Sequence, residues 1–409
     1  MEQKIKFDED ILKLMTGNND AYMVRRVAEF MSQKGEKITY NKNEGKHYIN
    51  TFFPSFPGKA WDRLMSNIYR ISNYDERVPM QCDIVVTGKC HCRCWHCFRI
   101  KDKREDLSFD MIKNAIEELY NMGTVNLGIT GGEPMLRPDI LDILRLIPDG
   151  MEGQLFTTGH NITPEVAKEI KKTNVTRCII SIDHFEAERA NELRHYNNAF
   201  NEAIEAVKNL VANDIYTAVT LCVTDDLLEP GMLERYLEFI SNLGPHEIRI
   251  VLPIPQGNLE GREVALLYNE AVKYVKDFRS ARAEKTDVPV ILNFCELESL
   301  SYLGCGAGAN YLSINNDGMI TPCVAVGLSF GNIYEKSIKE IYEEMGKYFP
   351  RAAQICYGIN SSRVKEKENI HLEQTPYPID ISKDIAEKCK KSKRKAMFYE
   401  YIKNPDVSD

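Results

Sequence analysis

Asp83-Ile84-Val85-Val86-Thr87-Gly88-Lys89-Cys90-His91-Cys92-Arg93-Cys94-Trp95-His96-Cys97-Phe98 is the stretch that decides the fold. An apolar, β-branched run of strand length breaks at Thr87-Gly88, and four cysteines crowd the loop behind it. A strand that ends in such a loop suits an α/β protein, in which residues at the carboxyl ends of parallel strands share one mouth. Downstream, short β-rich runs alternate with amphipathic stretches as far as about residue 280. Six strands are expected, at 83–87, 125–129, 154–157, 177–181, 217–223 and 247–252. The stretches between them carry apolar residues three and four apart, as in Met111, Ile112, Ile116, Leu119 and Tyr120. Ser108 and Thr163, the latter followed by Pro164, read as helix caps. Six units fit an α/β partial (β/α)6 barrel; a doubly wound open sheet is the alternative. In either, TGKCHCRCWHCF, TGGEP, TTG, SID, VTDD and PIPQG face the same side.

Composition bounds the reading. The 409 residues are 43% hydrophobic and 27% charged with a net charge of −8, which describes a globular chain rather than a disordered one. No apolar run reaches the roughly 18–20 residues of a membrane span, and the first residues mix acids with lysines, unlike a secretory signal. A cytoplasmic protein without a transmembrane segment is expected. The acidic balance argues against broad nucleic-acid binding. In a reducing compartment twelve cysteines point to metal or redox use rather than disulfides. They fall in two groups, one around residue 94 and one from Cys295 to Cys389, with Cys82, Cys178 and Cys222 isolated in or beside strands.

Cys90, Cys94 and Cys97 form C-x3-C-x2-C followed by the aromatic Phe98. Three thiolates on one tight loop can hold three corners of an iron–sulfur cube, where a purely electron-carrying cluster takes four. One iron then stays open for a small molecule. A zinc knuckle is the bland alternative, since His91, Cys92 and His96 lie in the same stretch. Structural zinc gives no reason for Gly131-Gly132-Glu133-Pro134 at the next strand end, where paired glycines allow close backbone approach.

The cysteine spacing together with TGGEP resembles the radical S-adenosylmethionine superfamily over about residues 82–255. The resemblance implies that Cys90, Cys94 and Cys97 hold a [4Fe-4S] cluster whose open iron binds S-adenosylmethionine. One electron would then cleave the sulfonium to a 5'-deoxyadenosyl radical that abstracts hydrogen from substrate. Cys92 falls in the spacer and is not a ligand. The resemblance assigns Gly131, Gly132, Glu133 and Pro134 to the methionyl amino group. It extends to Thr158, where the family often has Asn, and to Ser181, Asp183 and Arg194 as contacts to ribose and carboxylate.

Toward the C-terminus, Cys305, Gly318 and Cys323 form C-x12-G-x4-C, with YLSI and MITP flanking the turn sequence NNDG. The pattern reads as a hairpin that brings its flanking cysteines together, followed by a helix from about Ser337. With Gly331-Asn332-Ile333 it resembles the SPASM/twitch extension of radical S-adenosylmethionine enzymes. That implies an auxiliary [4Fe-4S] cluster on Cys305, Cys323 and Cys356, the fourth ligand coming from Cys389, Cys295 or a non-cysteine group. The later cysteines are too sparse for two auxiliary clusters.

Three regions are expected: an N-terminal extension (1–81), the barrel (82–280) and an auxiliary-cluster domain with a basic tail (281–409). The extension should hold helices near residues 11–14, 22–31 and 61–71 and a hairpin over 37–50. Its aromatic stretch Thr51–Trp61 suits core packing, a lid, a peptide clamp or a lipid-facing surface, and substrate recognition is expected to reside in this N-terminal region. The tail, with Lys383, Lys388, Lys390, Lys391, Lys393, Arg394 and Lys395, is a solvated face or a docking patch for a flavodoxin or ferredoxin. The function expected is hydrogen abstraction from a peptide or protein side chain, as in ribosomal-peptide maturation. A lipid or small metabolite is the alternative substrate, and a non-catalytic zinc or iron–sulfur protein the alternative class.

Overall fold

The computed structural model describes residues 2–4, 7–99, 105–372 and 375–404. Strands β1 (Glu2–Lys4), β2 (Ile38–Asn41) and β3 (Lys46–Tyr48) form a small antiparallel sheet. The main sheet has ten strands. Its parallel part runs β4 (Gln81–Val85), β5 (Asn126–Thr130), β6 (Glu152–Thr157), β7 (Val175–Ser181), β8 (Tyr216–Cys222), β9 (Glu247–Val251) and β10 (Val290–Asn293), in spatial as in chain order. The hairpin of β11 (Tyr311–Ile314) and β12 (Met319–Thr321) follows, then β13 (Gly331–Asn332). β10 and β13 are the edges, so the sheet stays open: a partial barrel.

Each of the six expected strands is present within a few residues. The rhythm nevertheless runs past residue 280, because β10 pairs parallel with β9. The C-terminal hairpin adds to the same sheet, with Ser313 opposite Asp83 and Leu312 opposite Cys82 in the parallel pairing of β11 with β4. Gly318 takes the positive φ, +82°, that its turn requires. After it the helix Ile338–Met345 starts with a capping box, Ser337 and Glu340 each bonding the other's backbone N–H. Among the described residues no helix is long and apolar enough to cross a membrane.

The N-terminal segment forms the floor. Its helices Glu9–Thr16, Ala21–Gln33 and Lys59–Tyr74 share a core with the C-terminal helix Met397–Lys403. Phe53, Phe56 and Trp61 are buried. The chain from Thr51 to Ser55 caps the strands at their amino ends. The Thr51 N–H donates to Glu247 (2.7 Å), the Ser55 N–H to Glu152 (3.1 Å), and the Asn126 amide to the Phe52 carbonyl (2.6 Å). This end is opposite the cysteine loop, and among the readings of Thr51–Trp61 the burial of its aromatics favours core packing.

One floor contact gives stability a pH signature. His246, just before β9, stacks on Tyr216 at 5.1 Å and accepts the Thr217 N–H at Nδ1 (2.9 Å). Desolvation lowers its pKa from 6.5 to about 4. The unfolded chain therefore binds the extra proton first. Stability contributed by neutral His246 is whole above about pH 6.5 and is lost as pH falls toward 4. Urea unfolding of His246→Gln should show a flatter slope across that window than the parent.

Candidate active site at the carboxyl ends of the strands

The loop after β4 is built around its cysteines. The Cys92 N–H donates to Cys90 Sγ and the Arg99 N–H to Cys97 Sγ, each at 3.4 Å. Such donors favour the thiolate and tune a cluster. Cys94 is drawn down to about pKa 7, first by a hydrogen bond from the Cys92 thiol and then, against burial, by the charge of Arg194. The loop is clamped from below by its backbone, Arg93 N–H to Arg194 O and Trp95 N–H to Leu193 O, both 3.0 Å. Asn258, in the loop after β9, bonds the carbonyls of Cys94 and Cys97, both at 3.0 Å. Gly257 has φ +59° and a Cβ there would lie 2.2 Å from Phe98 Cα, so only glycine brings that loop so close.

The glycine pair serves the same packing. A Cβ on Gly132 would meet Lys89 O at 2.3 Å and Cys90 Cβ at 2.9 Å. Gly132→Ala should therefore shift the loop carrying Cys90, and a misplacement of this size costs about 10- to 100-fold in rate. Dithionite-driven formation of 5'-deoxyadenosine checks it.

The residues expected to contact the cofactor divide in two. Gly131, Gly132, Ser181 and Phe98 are half-buried at the mouth, with Thr130 beside them. Glu133 is fully buried and accepts from the Thr157 hydroxyl (2.5 Å), the Thr158 hydroxyl (2.6 Å), the Thr158 N–H (2.7 Å) and the Met135 N–H (3.1 Å). It locks the loops after β5 and β6 together. Pro134, also buried, opens the short turn Pro134–Leu136. Asp183 and Arg194 form a buried ion pair of 2.7 Å beneath the cysteine loop. These residues, like Thr158, engage one another, so their geometry is that of a brace for the mouth.

Sequence reading missed the lumen below the mouth. Arg249, on β9, lies between the rings of Phe156 (5.0 Å) and Phe294 (4.7 Å), and its Nε and Nη1 find no acceptor among the described residues. Asp83 accepts the Tyr311 hydroxyl at 2.6 Å. Gly128 makes the room, since a Cβ there would collide with the Asp83 carboxylate and the Phe156 ring. The alternation of inward positions on β4 and β9 could have flagged both charges, because an ionised residue facing a barrel interior is costly without a task.

Behind the lumen lie the later cysteines. Cys305 and Cys356 hydrogen-bond through their side chains, and Cys323 sits within electrostatic reach of Cys305 and Glu298. A paired backbone bridge, Cys305 with Ala353, closes that group (2.9 and 2.7 Å). Gln256 of the PIPQG loop bonds Gly358 O and Ser362 Oγ, both at 2.8 Å, and so docks the helix Tyr357–Lys367 that follows Cys356. Cys389 is buried and lies beside the Tyr357 hydroxyl. Cys295 is half-buried above the lumen. In the basic tail, Lys388 pairs with Glu368 and Asp384, and Lys395 turns inward to the carbonyls of Ile71 and Ser72.

The cysteine-rich loop at the mouth of a partial barrel, where Cys90 gathers with His91 and Cys92, and the thiols behind it make a candidate metal-binding site. The comparisons agree. Residues 84–248 match the family model for the radical SAM superfamily and residues 305–356 that for the SPASM iron–sulfur cluster-binding domain. The AdoMet-dependent heme synthase of Oleidesulfovibrio alaskensis is 27% identical over 292 residues, 64% of this chain and 74% of the relative. The mycofactocin maturase MftC of Mycobacterium tuberculosis is 31% identical over 175 residues, 42% of this chain and 44% of the relative. Streptococcus suis SuiB bound to its precursor peptide SuiA superposes with a TM-score of 0.54 at 16% identity, covering 69% of each chain. Residues 84–248 thus match a radical SAM domain and residues 305–356 a SPASM-type iron–sulfur domain. The chain is an enzyme that uses S-adenosylmethionine, a [4Fe-4S] cluster and auxiliary iron–sulfur chemistry, which sets aside the non-catalytic zinc or iron–sulfur reading.

Proposed function

We propose that this chain modifies a peptide or protein side chain held in the lumen between the two cysteine groups. In this reading Cys90, Cys94 and Cys97 hold the catalytic cluster, and Cys305, Cys323 and Cys356 hold one auxiliary cluster, with a fourth ligand from Cys389, Cys295 or a non-cysteine group. When bound, the catalytic cluster and S-adenosylmethionine supply a carbon radical able to take hydrogen from an unactivated C–H bond. The protein's part is to orient. Gly131, Gly132 and Ser181 present the accessible rim, the Glu133 and Asp183–Arg194 braces fix it, and Arg249 and Asp83 offer the lumen's charges to substrate. An acidic flavodoxin or ferredoxin is the proposed electron donor, met by the lysines of the tail.

The observation that carries the peptide reading is the shared two-part architecture with SuiB, solved with its precursor peptide, alongside the similarity to MftC. A small metabolite is the second reading, favoured by the heme synthases, which match over a larger share of both chains. The test offers the anaerobically reconstituted enzyme short peptides encoded beside its gene, and separately a peptide-free metabolite extract. Peptide-dependent 5'-deoxyadenosine with a mass change in the peptide is expected. Stimulation by the extract alone would replace this reading with the second.

A further inference from the structure

His91, His160 and Glu202 come from three separate elements: the cysteine loop, the loop after β6 and the first turn of the helix Ala199–Ala212. Their ligand atoms all lie within 4.8 Å of one another. His160 Nδ1 is 2.9 Å from Glu202 Oε2, and His91 Nε2 is 3.9 Å from the same oxygen. The two imidazoles face each other with ring centroids 4.4 Å apart. Both ring nitrogens of His91 are shielded from solvent and have no hydrogen-bond partner among the described residues.

The other carboxylate oxygen of Glu202 is already committed. Oε1 accepts from the Tyr196 hydroxyl (2.7 Å) and the Asn198 amide (3.1 Å), which fixes the carboxylate and aims Oε2 at the imidazoles. An outer hydrogen bond that orients a ligand is a usual companion of metal sites. In a tetrahedral zinc site with bonds of about 2.0–2.1 Å, neighbouring ligand atoms stand about 3.3–3.4 Å apart. The observed 2.9 and 3.9 Å straddle that edge, and the two imidazoles' ligand atoms lie within 4.8 Å, so side-chain shifts on the order of an ångström close the site. The three side chains are 17 to 19% exposed, which leaves a side open for a water as fourth ligand.

We propose that His91, His160 and Glu202 bind a divalent cation of the zinc class that uses none of the cysteines, although His91 also stands within 4.8 Å of the Cys90 and Cys92 thiols. Two imidazoles and a carboxylate suit Zn2+ among borderline metals, and lack the thiolates that an iron–sulfur cluster takes. The ion ties the segment between Cys90 and Cys94 to the loop after β6, so it acts as a structural staple for the cysteine loop. It differs from the zinc knuckle of the sequence reading, which drew on the cysteines themselves. It does not depend on what the substrate is.

The test uses the full chain with its iron–sulfur clusters reconstituted, dialysed against micromolar Zn2+ and analysed for both metals. One zinc per chain is expected in addition to unchanged iron. Glu202→Gln and His160→Gln, which leave every cysteine in place, should each lower zinc affinity by more than the roughly 10- to 100-fold that loss of an outer hydrogen bond costs. No zinc above the iron complement, or the same zinc in both variants, would overturn the site. A zinc uptake that rises only as iron falls would equally do so, since it would place the ion on the cysteines. Should one variant fail to fold, Tyr196→Phe, which removes only the outer hydrogen bond, gives the same readout with a smaller loss.

Discussion

Replacing Cys90, Cys94 and Cys97 together by alanine is expected to remove about four iron per chain from a total of about eight and to abolish formation of 5'-deoxyadenosine. The loop offers no substitute set. Cys92 is buried in the spacer, and its thiol donates toward Cys90 and Cys94 instead of adding a ligand beside them. The remaining iron should stay, because Cys305 precedes β11, Cys323 follows β12 and Cys356 caps the helix Tyr357–Lys367, all outside the loop after β4. Iron analysis with electron paramagnetic resonance separates the two groups. Cleavage that survives the triple substitution would refute the assignment of these thiols.

The sequence was most legible where local chemistry is unmistakable. The C-x3-C-x2-C loop, the glycine pair and the C-x12-G-x4-C hairpin each carry a spacing that only a few structures can satisfy, and the structure builds the expected hairpin around Gly318. Contacts between distant segments were harder to read. β10 escaped because Val290–Asn293 is short and follows Pro289. Asp183 and Arg194 were read as two cofactor contacts, yet an aspartate and an arginine eleven residues apart reveal their ion pair only once the loop beneath the cysteines is folded. The same holds for Glu133, whose donors span two strand ends. The N-terminal segment posed the opposite difficulty. Its aromatics announced burial, but nothing local says which end of a barrel they will close.

That closure makes the floor the place where a single substitution should cost most stability. Glu152 pairs with Arg177, which is fully buried and also donates to the Phe53 carbonyl, while the Ser55 N–H and hydroxyl and the Thr176 hydroxyl complete the carboxylate's shell. Glu152→Ala would leave a guanidinium and a backbone N–H without their acceptor deep in the fold. Removing one partner of a buried ion pair costs about 3–5 kcal/mol. The double variant Glu152→Ala/Arg177→Met removes the orphaned charge as well and should recover part of that loss, a coupling a double-mutant cycle measures. Acid titration gives a second signature. Burial alone would raise the Glu152 pKa, but Arg177 and the neighbouring donors hold it below 4.5, so its stabilisation is present above that pH and lost as pH falls through the lower folded value. Glu152→Ala should therefore flatten the acid limb of the stability profile as well as lower its plateau. A double variant as unstable as the two single losses summed would mean that the pair does not act as a unit, and that the floor is held by its aromatic core alone.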